Sequence, residues 1–364
     1  MTPKERVFTA LDHKTPDRVP VTNRFTPEVI NELNTILGLD TNDSFDLEVE
    51  LGHDLLCTKE MGIVNAYLLE DSKKIDEEKY IDDFGIIKKK VNYGKGYYVE
   101  IVKNPLENIE DFYSYNMPDP EKQPLLQRQL KNLEDNVKKY GSTHAIVGGV
   151  TATIFEASQI LRGMKNIMID LVDNQDFLNE LMDMLMNYHY KIGERFIEIG
   201  VDIVYIGDDA GMQKGMLISP KLWRKLLKPR YDYLFREWKK LNKNIKFAFH
   251  SDGHIEPIIP DLVEIGLDIL NPVQPGTMDD RRLKKNFGDK LTFWGGLNVQ
   301  KTIPFGSPKD VVDEVKDRID IFGPGGGFII SPSHNIQPDI RSIDNTLIYY
   351  WACNKYGQYK NTVD

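Results

Sequence analysis

The chain has 364 residues, of which 41% are hydrophobic and 28% charged, with a formal net charge of −10. That balance fits a soluble globular protein, argues against nucleic acid or an anionic membrane as partner, and no apolar run approaches the roughly 18 residues of a membrane span. The opening Met1-Thr2-Pro3-Lys4-Glu5-Arg6 lacks the apolar centre of a secretory signal, and the two cysteines, Cys57 and Cys353, form no CxxC pair, so we expect a cytoplasmic protein without a disulfide framework.

Along the chain, Thr2-Pro3-Lys4-Glu5 reads as a capping box that starts a helix. Eight short apolar runs follow as expected strands: 18–23, 54–58, 144–149, 202–207, 245–250, 268–272, 291–295 and 327–331. Most are continuous rather than alternating, as in a parallel sheet covered by helices. Between the second and third runs, the segment 88–106 breaks the pattern; its Asn92-Tyr93-Gly94-Lys95-Gly96 predicts the turn of an inserted β-hairpin. Ser219-Pro220 and Ser307-Pro308 each open a helix, a serine cap before a proline at the first turn. Residues 261–265, followed by Gly266, read as a helix with a glycine cap. Eight strand–helix units predict a (β/α)₈ barrel in one domain, 1–364. A doubly wound open sheet is the other candidate, weakened because no GxGxxG follows the first run.

A barrel carries its chemistry at the C-terminal ends of its strands. Those ends offer Asn23 and Arg24, then Glu156 shortly after the third run, Asp208 and Asp209, His250 and Asp252, Gln274, Asn298, and His334. His250 and Asp252 point the same way in extended chain. With His334 on the same rim, two imidazoles and a carboxylate could hold a zinc-like metal, or both histidines could bond loop backbone. Asp208-Asp209 could supply a metal ligand, a general acid or a partner that orients a histidine, or an N-cap. Glu156, in the first turn of a helix, suits either the cavity or the helix dipole. Arg24 could clamp a carboxylate or form a surface ion pair. Tyr205 and Trp294, inside strands, read as core. The glycines of 323–327 precede a strand instead of joining strand to helix, so they read as a connection and not a phosphate cradle. No Ser/His/Asp or Cys/His triad is legible.

Several motifs now combine. The opening Pro3-Lys4-Glu5-Arg6-Val7 and Pro16-Asp17-Arg18-Val19-Pro20-Val21 are followed by Leu161-Arg162-Gly163, Phe249-His250-Ser251-Asp252-Gly253, Leu270-Asn271-Pro272-Val273-Gln274, Phe293-Trp294-Gly295-Gly296 and Ser331-Pro332-Ser333-His334-Asn335-Ile336. In these the chain resembles uroporphyrinogen-decarboxylase-like proteins over nearly its whole length. The resemblance implies a (β/α)₈ barrel and one of two activities, decarboxylation of porphyrinogen acetate groups or methyl transfer involving corrinoid proteins or thiols. The decarboxylases carry an arginine-rich clamp after the first strand. Here that stretch is Pro20-Val21-Thr22-Asn23-Arg24-Phe25-Thr26-Pro27, with one arginine, so the resemblance favours the methyltransferase branch.

In that branch a His-x-Cys pair and a later cysteine hold zinc. Here His250-Ser251-Asp252 stands in place of the pair, and His334 where the last cysteine would fall. The resemblance therefore implies zinc on His250, Asp252 and His334. Such a set is harder than a thiolate set and suits a methyl donor with an ether or amine leaving group. It further implies that Asp208 or Asp209 orients a ligand or protonates the leaving group, and that Asn23, Arg24, Glu156, Gln274 and Asn298 line the substrate pocket. The chain has no cobalamin-binding Asp-x-His-x-x-Gly motif, so the corrinoid would ride on a separate protein; a homodimer is expected from the family. The alternative is a metal-free decarboxylase of a small acid, with Arg24 on a carboxylate and Asp208 stabilising charge.

Overall fold

A computed structural model describes residues 1–41, 43–92 and 96–359. Seven parallel strands form one curved sheet: β1 (Leu55–Cys57), β6 (Ala145–Thr151), β7 (Ile203–Gly207), β10 (Lys246–His250), β11 (Ile269–Asn271), β12 (Thr292–Leu297) and β13 (Phe328–Pro332), each paired with the next. The expected first strand, 18–23, is reduced to a bridge between the sheet's two edges. Ile330 N donates to Pro20 O at 2.9 Å, and Asp54 N donates to Val21 O at 2.8 Å. A regular ladder fails there for a chemical reason. Pro20 has no N–H to give, and the Val21 N–H is taken by the Asp54 carboxylate at 2.8 Å. The barrel is closed all the same, with seven strands and one irregular segment.

The strands read as continuous apolar runs because both of their faces are buried. Leu55, Cys57, Val147, Ile203, Tyr205, Ala248, Ile269, Trp294 and Ile329 pack inside the barrel, while their alternate neighbours face the helices. The helix Pro3–Leu11 sends Val7 and Leu11 into the same inner cluster, at the end of the barrel opposite the strands' C-termini. Its start is the capping box, with Glu5 N on Thr2 Oγ1 at 3.2 Å and Thr2 N on Glu5 Oε2 at 2.8 Å. Ser219 and Ser307 cap their helices as expected.

The insertion is larger than a hairpin. It is a four-stranded antiparallel sheet of β2 (Lys73–Lys74), β3 (Lys79–Ile81), β4 (Ile87–Asn92) and β5 (Tyr97–Lys103), with Asn92 opposite Tyr97. The middle of the expected turn, 93–95, lies outside the described residues. Lys88 of β4 is fully buried; its ammonium donates to Asp82 Oδ2 and to the Ala66 carbonyl, both at 3.1 Å. That carbonyl belongs to the 3₁₀ turn Ile63–Tyr67, which reaches the barrel mouth. After β7, a small ribbon of β8 (Gly211–Met212) and β9 (Gly215–Met216) stands on the same rim.

Candidate active site at the barrel mouth

His250 is the last residue of β10 and lies opposite Gly207 and Asn271 in the sheet register. The glycine is required by space: a Cβ at position 207 would stand 2.5 Å from the His250 Cβ. The imidazole is fixed from the other side. Asn271 gives its amide hydrogen to the Trp294 carbonyl at 3.2 Å, which turns its Oδ1 toward two donors. One is the Tyr205 hydroxyl at 2.9 Å and the other His250 Nδ1 at 2.7 Å. Since Oδ1 can only accept, Nδ1 carries a proton, and in the neutral imidazole the lone pair is therefore on Nε2. That lone pair lies 3.8 Å from Asp209 Oδ1.

Asp209 Oδ1 also accepts the Asp252 backbone N–H at 2.7 Å, which ties the end of β7 to the loop after β10. One ligand atom each from Asp209, His250 and Asp252 falls within 4.8 Å of the others. A neutral imidazole nitrogen with two carboxylates is a donor set that fits a divalent cation of borderline or hard character, zinc among them. Burial pushes the Asp252 carboxyl above its ordinary range; His250 pulls the other way, and the nearby Asp209 adds to the rise.

His334 is outside this cluster. It is exposed and stands on the wall of both cavities at the mouth. Of the expected trio His250, Asp252 and His334, the first two fall in this cluster, and Asp209 is its third member. Asp209 and Asp252 are joined by that backbone bond at 2.7 Å, whereas His334 stands exposed on the loop after β13, near enough to Asp252 for its charge to lower that carboxyl. Asp208 also lands elsewhere. It is fully buried and lines neither cavity. Its carboxylate accepts the N–H groups of Ile154 and Glu156, each at 2.8 Å, and the Tyr231 hydroxyl. It therefore satisfies the free N–H groups at the start of the helix Phe155–Arg162 from the end of the neighbouring strand, and is not the N-cap of its own following turn that the sequence offered. Burial pushes it up to about 6 against the pull of the Tyr231 hydroxyl and those amides.

Two cavities open on the mouth. The inner one, about 170 Å³, is lined by Asn23, Arg24, Glu156 and Asp209 together with Glu60, Tyr67, Tyr205 and His250. Arg24 donates to Glu60 Oε1 at 2.6 Å and lies 5.0 Å above the Tyr205 ring, an ion pair and a cation–π contact in one wall. Burial alone would raise the Glu60 carboxyl; Arg24 first, and His250 after it, hold it below its usual range. Glu156 behaves oppositely. Burial and then the negative Asp209 and Asp208 push its carboxyl well above the ordinary value. Its Oε2 accepts the Asp209 N–H at 3.0 Å. The outer cavity, about 250 Å³, holds Asp252, Gln274 and Asn298. Ser333, His334 and Asn335 border both and form the partition between them.

Sequence reasoning missed Glu60 and the site role of Tyr205. Glu60 lies one residue beyond Lys59, past the expected strand end. Tyr205 reads as core because its ring is buried in the barrel, and only its hydroxyl reaches the site.

The comparisons with known proteins agree with this architecture. The family model described as Uroporphyrinogen decarboxylase (URO-D) matches residues 82–348. Among solved structures, a methyltransferase from Methanosarcina mazei superposes with a TM-score of 0.74 at 20% sequence identity, covering 98% of this chain and 99% of its own. A B12-independent methionine synthase from Shewanella sp. W3-18-1, in complex with selenomethionine, gives a TM-score of 0.46 at 10% identity, covering 95% of this chain and 97% of its own. No curated protein matches the chain. The first of the two structures shares the fold, and the second is too distant to carry an argument. With the family model spanning most of the barrel and its mouth, the chain belongs to the uroporphyrinogen decarboxylase (URO-D) family.

Proposed function

We propose that the chain is a zinc-dependent methyltransferase that moves a methyl group between a small ether or amine donor and a separate corrinoid protein. The observation that carries this reading is the His250 imidazole, whose proton is held on Nδ1 by Asn271 so that Nε2 faces two carboxylates at the cavity mouth. Asp209, His250 and Asp252 would hold the metal. A divalent cation there supplies Lewis acidity to the heteroatom that loses its methyl group. Asn271 and Tyr205 keep the imidazole in its tautomer and orientation. Asp209, expected from the sequence as an acid, is assigned to the ligand set. Glu156 takes the acid role: burial and the negative Asp209 and Asp208 raise its carboxyl, and because Oε2 accepts the Asp209 N–H, Oε1 is the oxygen left to pass a proton to the departing oxygen or nitrogen. Arg24 and Glu60 together shape the inner wall. The fold shared with the M. mazei methyltransferase supports the same reading.

The metal-free decarboxylase is less well supported. The Arg24 guanidinium already carries the Glu60 carboxylate on Nη1 at 2.6 Å, so its charge is largely offset before any substrate carboxylate arrives.

The test is elemental analysis of protein purified without a histidine tag, combined with methyl transfer from a panel of aryl ethers and methylamines to a cobalt(I) corrinoid protein. Stoichiometric zinc and donor-dependent methylation are expected, both lost in His250→Ala. Metal-free protein with full activity in that variant defeats the proposal, and carbon dioxide release without a corrinoid selects the decarboxylase.

A further inference from the structure

We infer that the outer cavity is a second ligand site, built for an uncharged molecule rich in carbonyl or hydroxyl oxygens, while the methyl donor occupies the inner cavity. The two chambers differ in charge. The inner one contains Arg24. Among the described residues lining the outer one there is no lysine or arginine, and two carboxylates, Asp252 and Asp339, face it. Asp252 belongs to the metal cluster, but a carboxylate or phosphate placed toward the outer wall would meet Asp339, with only His334 among the lining side chains to offset it. What the wall offers instead is neutral donors. Gln274, Asn298, Gln300, Asn335 and Gln337 bring five carboxamides to one cavity of about 250 Å³.

Two of these are already oriented. Gln274 Oε1 accepts the Gly253 N–H at 2.9 Å, and Asn298 Oδ1 accepts the N–H groups of Gln300 and Lys301, each at 2.9 Å. With their oxygens committed to backbone, their NH₂ groups remain to donate. Donors fixed in this way match a ligand that presents carbonyl or hydroxyl oxygens.

Position adds to composition. The outer chamber adjoins the ligand cluster through Asp252, the inner chamber through Asp209 and His250, and the partition between them is only Ser333–Asn335. Two different molecules can therefore approach the same cluster from opposite sides. Calling the outer ligand the methyl acceptor rests on the function proposed above; the preference for an uncharged ligand does not.

Two sources share this chemistry, the amide-bearing edge of a corrin and a free small amide. Three probes separate them in equilibrium binding to the full chain: dicyanocobinamide, which carries amide arms; dicyanocobyrinate, the same ring with carboxylates in their place; and nicotinamide. Cobinamide is expected to bind at least about tenfold more tightly than cobyrinate. Gln300→Arg and Asp339→Asn, both at exposed positions of the outer wall, should narrow that gap, and Tyr67→Phe on the inner wall should leave it unchanged. If nicotinamide alone binds and Gln300→Arg weakens it, the outer site stands and the corrinoid acceptor falls. Cobyrinate binding as tightly as cobinamide, or no uncharged probe that responds to Gln300→Arg, overturns the inference.

Discussion

His250 and Asn271 are register partners on adjacent parallel strands, and the 2.7 Å contact between Nδ1 and Oδ1 decides which imidazole nitrogen faces the cavity. A ring tethered in this way presents a pre-oriented lone pair, and loss of such a support costs metal sites about 10–100-fold in affinity. Asn271→Leu should therefore weaken zinc binding by that factor in a chelator competition, and His250→Ala should lose stoichiometric metal. His334→Ala should retain it, because His334 stands outside the 4.8 Å cluster. Loss of metal in His334→Ala would show that the loop after β13 folds inward to ligate.

Asp208 makes folding stability depend on pH. Its folded carboxyl titrates near 6, against 3.8 for the free side chain, because of burial. Between those values the folded state holds the proton more tightly than the unfolded chain, so stability falls as pH rises through the window. The loss attributable to Asp208 is on the order of 3 kcal/mol. Urea unfolding at pH 4 and pH 7 should show a larger decline in wild type than in Asp208→Asn, whose side chain does not ionise. Identical slopes in the two proteins would refute this.

Lys88 and Asp82 form an ion pair inside the inserted sheet, with side-chain exposures of 1% and 10%. Removal of one partner strands a buried charge, so Lys88→Met should cost about 3–5 kcal/mol. The double variant Lys88→Met/Asp82→Asn should cost clearly less than the sum of the two single changes, since it strands no charge. Denaturant melts of the four proteins complete the cycle. Strict additivity would mean that the pair contributes no coupling.

Gly295 has φ +134°, and a Cβ added there would stand 1.6 Å from the Pro272 carbonyl oxygen. Neither segment can easily retreat, because Gly295 lies within β12 and Pro272, directly after β11, accepts the Gly296 N–H at 3.2 Å. Gly295→Ala should cost about 3 kcal/mol or more, visible as a large fall in the melting temperature. A melting temperature within a few degrees of wild type would show that the strands can part.

Much of the architecture is legible in local sequence. The strand runs, the capping box at Thr2 and Glu5, and the proline-led helix starts are set by interactions that span a few residues. Placement of His250, Asp252 and Asp209 at strand ends follows from the same reading, because a parallel barrel sends every strand's C-terminus to one rim. The missing first ladder was only half legible: Pro20 stands in the sequence, but the other cause is a distant residue, Asp54, which takes the Val21 N–H.

What the sequence by itself determined was a barrel with its polar residues gathered at one mouth. Periodicity and caps act through neighbouring bonds, and those are written in order along the chain. Which polar residues meet was decided only by the tertiary structure. Asp208 and Asp209 are adjacent in the chain, yet one side chain caps a buried helix and the other faces a cavity, because successive residues beyond a strand point to opposite sides. Asp209 lies in the cluster with His250 and Asp252 while His334 does not, for a similar reason: a loop's path above the rim depends on packing and long-range hydrogen bonds, which no local pattern encodes.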